Sequence, residues 1–325
     1  MWRLRGVLIA AASVWLLESG PLCLPAAGWE IKLAICPEKT SAEWPLLPPP
    51  ASLIDSDAAP LYEKAVGALA PDPNIRQINK WLSLPVDQFP LDDVEAVLQR
   101  DMAGLRSVAK AVRCRQCKWP TLPGGLALNA HLDGLRRLCL IVCLWTRYEV
   151  AQGNHEGAVL AMQTGYAMAR QIVDAPDTLQ CAVGLSAAGR MRLEIEQYMQ
   201  TQESPNLFAT LAALPRPLAN VEKAVENERK AVPSELPPGT TREQFESELK
   251  RSYDQLRGQT KELDRDMALL QCIEAIRSYA ASHGGKLPKT LAETTEVTLP
   301  QDPMNGGAFR YVRTGSTAKL ESVWA

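Results

Sequence analysis

From about Leu126 to Gln152 the chain carries Leu132, Leu135, Leu138, Val142 and Trp145 on one helical stripe, with Arg136, Arg137, Arg147 and Glu149 mostly outside it. Apolar residues recurring at three- and four-residue spacings define an amphipathic helix. A helix of this length with one apolar face has to bury that face against another element, so this stretch constrains the rest of the fold. The following segment supplies the partner, a helix over 154–174 entered through Gly153. The same style continues over 178–200, where Ala182, Gly184, Ala187, Ala188 and Gly189 precede Leu193, Ile195 and Tyr198. Small residues at such positions let helix axes approach closely.

The stretch Gly153-Asn154-His155-Glu156-Gly157-Ala158, followed by Met162 and Gly165, resembles the turn and second helix of a tetratricopeptide repeat (TPR). Small residues there admit the neighbouring helix and a larger apolar one fills the groove. The resemblance covers about one repeat, with no second copy at the 34-residue period of that family. The expected fold is therefore mainly α: an irregular helical-hairpin (TPR-like) array, then a long helix and a small C-terminal β-hairpin module.

Flanking segments set the expected organisation. Residues 29–52 contain Pro37, Pro45 and Pro48-Pro49-Pro50, which exclude a continuous helix and predict an extended Pro-rich linker. The array is expected over 53–214. It starts with candidate caps at Asp55-Ser56-Asp57 and a short helix from Pro60 to about Pro71. A helix over 91–114 follows, with Val94, Leu98, Met102, Leu105 and Val108 on one face. Leu214-Pro215-Arg216-Pro217 breaks the array, and long charged helices are expected over 215–285, interrupted between Pro233 and Gly239. His283-Gly284-Gly285 stops the last one. In 286–325, Phe309, Tyr311 and Val312 before Gly315, and Ala318 to Val323 after it, predict a β-hairpin.

The first 28 residues have the order of a secretory signal peptide: Arg3 and Arg5, an apolar run from Gly6 to Leu17, then small and turn-forming residues to Gly28. The run is shorter than the roughly 20 residues a helix needs to span a bilayer. Cleavage after Gly28 would leave about 300 residues, ample for a sizeable core. The expected location is extracytoplasmic, periplasmic or secreted, with membrane contact only through the leader if it stays uncleaved. A formal charge of −2 and only four Phe residues disfavour nucleic acid as a partner.

Candidate chemistry centres on the eight cysteines. Cys114 and Cys117 form a C-x-x-C, while Cys139 and Cys143 lie four apart on one helical face, so the two pairs are candidates for tetrahedral zinc. An oxidising compartment equally suits disulfides, and unpaired thiols in the core are the third possibility. No βαβ pattern surrounds the C-x-x-C to favour a thioredoxin-like role. His155 and His283 read as solvated residues at a turn and a helix stop. Asp174, Asp177, Glu194 and Glu196 are carboxylates that could form an acid/base pair. Asp302 and Asn305 suit either a capped turn or a calcium site, and the turn is the simpler reading. Gly184-Leu185-Ser186-Ala187-Ala188-Gly189 misses the nucleophile-elbow spacing. With no Walker loop and no G-x-G-x-x-G after a strand, no cofactor is implied.

Cys117-Lys118-Trp119, the Leu135–Leu144 helix, Gln163 to Arg170, Ser204-Pro205-Asn206-Leu207-Phe208, Leu214-Pro215-Arg216-Pro217 and the tail from Ala275 to Tyr311 together resemble an uncharacterised family of secreted proteins of planctomycete-type bacteria. That resemblance spans most of the chain and implies no activity. The tail from Tyr279 to Pro288, with Asp302-Pro303 and Phe309-Arg310-Tyr311, is also similar to the end of type II secretion pseudopilins, although a prepilin leader is not recognisable. The resulting expectation is a non-enzymatic scaffold that docks a protein or peptide. An extracytoplasmic hydrolase with a non-local site and a pilin-like envelope component are the alternatives.

Overall fold

The computed structural model describes Ala34, Cys36 and residues 44–71, 74–120, 126–230 and 241–322. The expected leader with its Cys23, and most of the expected linker, lie outside these residues. The described chain is mainly helical. Helices α1 (Ala59–Gly67), α2 (Ile75–Leu82), α3 (Leu91–Arg100) and α4 (Met102–Ala111) precede the three long helices α5 (Leu126–Ala151), α6 (His155–Val173) and α7 (Thr178–Met199). After them come α8 (Phe208–Ala212), α9 (Glu222–Lys230) and the 41-residue α10 (Arg242–Ser282).

Local chemistry turns α5, α6 and α7 back on one another. Gly153 takes a positive φ of 69° at the end of α5, a conformation costly for a side chain with a Cβ. The Asn154 side chain then caps α6 by accepting from the Gly157 amide, and Asp177 caps α7 by accepting from the Gln180 amide. Gly165 of α6 lies against Met191 of α7, and Gly184 of α7 lies against the Val173 amide and the Ala169 carbonyl of α6. Gly184 brings α6 and α7 into near-backbone contact and Gly165 leaves room for the Met191 side chain, while Leu135, Leu138, Ile141, Met162, Tyr166, Ile172, Leu185 and Ile195 fill the common core.

Two features depart from the expected path. The helix expected over 91–114 is two helices, because Asp101, at 1% exposure, leaves helical geometry and accepts from the Ala70 amide beyond α1. Beyond it, residues 114–116 are not helical at all. Strand β1 (Ile54–Asp57) pairs in parallel with β2 (Cys114–Gln116), with Ile54 opposite Cys114 and Asp57 opposite Gln116. The Asp57 carboxylate accepts both the Ala59 amide at the start of α1 and the Lys118 amide after β2. The N-cap itself is Ala58, with no side-chain cap bond, so Asp57 stands one residue before the expected cap position and ties the C-x-x-C loop to the start of α1.

Helix α10 starts with a capping box in which Thr241 and Gln244 exchange bonds. Its N-terminal half forms a separate small core, Phe245, Leu249 and Tyr253 with Val225 of α9. Leu256, Leu263, Met267 and Leu270 then join the main core. Near its end, Ala268, Leu269 and Cys272 receive Phe309, with Leu291, Leu299 and Leu320 alongside. Strands β3 (Arg310–Thr314) and β4 (Thr317–Glu321) pair antiparallel across Gly315. No helix among the described residues is long and apolar enough to cross a membrane.

The close approach at Gly184 makes a contrast with Gly258, whose added Cβ would meet nothing within 4 Å. Gly184→Ala is expected to destabilise the fold by about 1–3 kcal/mol through overpacking against backbone. Gly258→Ala is expected to stabilise it by up to about 1 kcal/mol. Urea unfolding of the two variants checks both signs.

Candidate functional site

The four cysteines do not form one centre. Cys114 lies in β2 and Cys117 just after it, and both come within electrostatic range of the buried Tyr62 hydroxyl, as does Cys139. Cys143, one turn further along α5, is also influenced by Glu194 of α7, and Arg190 of α7 acts on both Cys139 and Cys143. Among the described residues no three His, Cys, Asp or Glu side chains converge to hold a metal ion, so the zinc arrangement is not formed. The seven described cysteines are free thiols, not disulfides, and all but Cys117 are buried. Burial pushes Cys139, Cys181 and Cys272 up to about 12, and raises Cys117 further, so these side chains serve as small apolar core groups.

Around Tyr62 the polar atoms organise packing. Its hydroxyl donates to Gln171 Oε1 at 2.5 Å, and the amide nitrogen of that glutamine donates to the Cys114 carbonyl at 3.0 Å. Trp119 stacks on Tyr62 with centroids 5.3 Å apart and donates its indole N–H to the Gln171 carbonyl. His131 meets the Trp119 ring edge-on, and its Nε2 is buried without a hydrogen-bond partner. One residue of α6, Gln171, thus joins α1, the end of α4 and β2.

A second set of polar groups joins α5, α7 and α10. Arg147 donates through Nε and Nη2 to both oxygens of Glu194, at 2.7 and 3.1 Å, and through Nη1 to the Leu84 carbonyl. Both side chains are almost fully buried. Burial raises the Glu194 carboxyl, opposed by the guanidinium of Arg147. Next along α7, Arg192 pairs with Glu196 and reaches Asp266 of α10 at 3.6 Å. Arg216, after the proline break, donates to the Asp264 carbonyl, while the Asp264 carboxylate accepts from the Leu218 amide.

The densest polar cluster lies where the N-terminal segment crosses α10. Arg277, fully buried, donates to Glu274, to the Ser204 hydroxyl and carbonyl, and to the Ala34 carbonyl. Asn206 donates to the Glu274 carbonyl and lies 3.8 Å from the Cys36 sulfur. Burial pushes the Glu274 carboxyl up to about 7 against the pull of Arg277. Tyr198, in electrostatic range of both, has a buried hydroxyl with no hydrogen-bond partner, and the His155 ring meets it edge-on. At Trp44–Leu47, Gln163 of α6 donates to the Pro45 carbonyl at 2.7 Å and the Leu47 carbonyl at 3.4 Å. Leu46 is 1% exposed. The described end of the expected linker is thus a strap packed on the helices, because buried Leu46 gains more from the core than free extension would give.

The other residues singled out from the sequence are placed as follows. Glu194 and Glu196 face different arginines, and Asp174 and Asp177 sit at the end of α6 and the cap of α7. His155 is the first residue of α6 and half-buried, not solvated in the turn, because its ring packs on Tyr198. His283 is exposed at the end of α10 and stacks on Tyr279. Ser186 lies inside α7. The Asp302 carboxylate accepts from the Met304 amide, the Asn305 side chain and the Ser322 hydroxyl, the donor set of a capped turn. Comparison of the chain with protein-family models, with curated proteins and with solved structures finds no match in any of the three.

Removing one partner of a buried pair strands the other, whereas removing both does not. Arg147→Met is expected to cost about 3–5 kcal/mol, and Arg147→Met combined with Glu194→Leu is expected to recover most of it, as urea midpoints can establish. For Glu274 burial raises the folded carboxyl to about 7, from an ordinary glutamate value of about 4.5. The native state therefore holds the proton more tightly, and the contribution is fully present below about pH 4.5 and lost as pH rises through about 7. The wild-type stability minus that of Glu274→Gln is expected to fall over this window by on the order of 3 kcal/mol and to be flat above it. Unfolding midpoints from pH 4 to 9 check the slope.

Proposed function

We propose that the chain is an exported, non-enzymatic helical scaffold whose stacked helices dock a protein or peptide partner. The observation that supports this most is the occupation of its buried carboxylates. Glu194 is engaged by Arg147, Glu196 by Arg192, Asp177 by the Gln180 amide and Asp264 by the Leu218 amide. A base whose lone pairs are held by structural donors is poorly placed to take a substrate proton. The TPR-like reading of α5, α6 and α7 belongs to the same proposal and draws on the Gly153 turn, the Asn154 cap and the Gly165 contact. Export draws on the three-part order of the leader sequence.

One observation favours a hydrolase as the second reading: Glu274, raised to about 7, lies near the unpartnered Tyr198 hydroxyl. The pilin-like reading draws on the β3–β4 hairpin and on the packing of Phe309 against α10. Purified exported chain is expected to show no turnover of chromogenic esters, phosphoesters, glycosides or peptides above a protein-free control. Turnover that Tyr198→Phe abolishes while the fold is retained would replace the scaffold reading by the hydrolase one.

A further inference from the structure

We infer that Asn305 is a self-modification site, at which the Gly306 nitrogen converts the side-chain amide to an acid whenever the Asp302 turn opens, and that the product keeps the turn from closing again. The turn runs through Asp302-Pro303-Met304-Asn305-Gly306-Gly307 and leads into Phe309, whose side chain is buried against Ala268, Leu269 and Cys272 of α10. Asn305, Gly306 and Gly307 are exposed, and a Cβ added at Gly306 would meet nothing within 4 Å, so water and hydroxide reach this stretch freely.

The turn itself requires both residues. Gly306 has a φ of 74°, a conformation that strains any residue with a Cβ. The Asn305 side chain accepts from the Gly307 amide at 2.7 Å and donates to the Asp302 carboxylate at 3.3 Å, and only an amide both accepts and donates in this way. The fold therefore keeps an asparagine before a glycine. With no Cβ to crowd it, a glycine nitrogen has the least hindered approach to the side-chain carbonyl carbon before it.

The step needs no cofactor. Hydroxide takes the Gly306 amide proton, the nitrogen bonds to Asn305 Cγ, and the Cγ–Nδ2 bond breaks. The departing nitrogen takes a proton from water and leaves as ammonia, which restores the hydroxide. Water then opens the five-membered imide at either carbonyl, leaving aspartate or isoaspartate.

The closed turn holds this step back. The Gly306 amide donates to the Asp302 carbonyl at 2.7 Å, so the attacking nitrogen and both ends of the Asn305 side chain are engaged. The fully buried Asp302 also accepts from the Met304 amide and from the Ser322 hydroxyl just past β4, and bonds to a carboxylate are the strong ones. After reaction the same contacts work against closure. Aspartate sets a negative charge where Nδ2 donated to the Asp302 carboxylate, and isoaspartate lengthens the main chain between Asn305 and Gly306.

The test incubates the purified full chain at mildly alkaline pH and follows acid and isoaspartate at position 305 by mass spectrometry of the fragment carrying it. Folded wild type is expected to react at least about tenfold more slowly than the same chain in urea, because the rate follows the population of open turn. Asp302→Ala is expected to react at least about tenfold faster than wild type without urea, and adding Gly306→Ala is expected to slow it again. Should Asp302→Ala not fold, Ser322→Ala takes its place, with a smaller increase expected. Equal rates in the folded and urea-treated chain overturn the guarding turn, and an unmodified Asn305 in urea overturns the site. Asn305→Asp reproduces one product and is expected to quicken hydrogen exchange in β3–β4. Exchange there equal to that of wild type overturns the claim that the product holds the turn open.

Discussion

The close approach of α6 and α7 through Gly165 and Gly184 is the constraint on which the remaining structure depends. With Gly184 set against the Val173 amide and the Ala169 carbonyl, the two backbones come closer than ordinary side chains would allow. That spacing fixes where the outward faces of α6 and α7 point. One consequence is that Gln171 stands where it can bind Tyr62, Ala111 and Cys114 together, anchoring the N-terminal helices and the β1–β2 pair. Another is that Glu194 and Arg192 of α7 meet Arg147 of α5 and Asp266 of α10.

The buried charges follow from the same geometry. A helix packed on several sides has no face left for water, so its charged residues either pair or cost several kcal/mol each. The pairs formed by Arg147 and Arg192 join separate helices, while Arg277, paired with Glu274 inside α10, links that helix to Ser204 and Ala34 by further hydrogen bonds. Arg277 also holds Ala34, and Gln163 holds Pro45, so the N-terminal strap is fastened to the elements that close the body.

Much of the helical layout was legible in the amino-acid pattern. The Leu132–Trp145 stripe, the Gly153-Asn154 turn and the small residues of α7 announce α5 to α7, because period and capping are local properties. The β1–β2 pair was not legible: its strands are four and three residues long and separated by four helices, and the pairing comes from packing of those helices. Asp101 split a predicted helix for the same reason, since its partner, Ala70, is 31 residues away. The four cysteines were visible as spacing, yet spacing does not show that Cys114 falls in a strand paired with β1 while Cys139 and Cys143 lie in the core face of α5. The Glu274–Arg277 cluster left only an i,i+3 acid–base pair in the sequence, one of many on a charged helix. Ser204 and Asn206 lie in the turn before α8, with no local periodicity to mark them, and both bond the α10 end of that cluster.

If the three long helices are the unit on which everything else is mounted, they should open only when the whole protein unfolds. Native-state hydrogen exchange measured against denaturant tests this directly. The slowest amides are expected in the paired parts of α5, α6 and α7, sharing one opening free energy equal to that of global unfolding, while α9, the first half of α10 and β3–β4 open at lower cost. Protection in α6 or α7 that is lost before that of α9 or the β3–β4 hairpin would contradict the account.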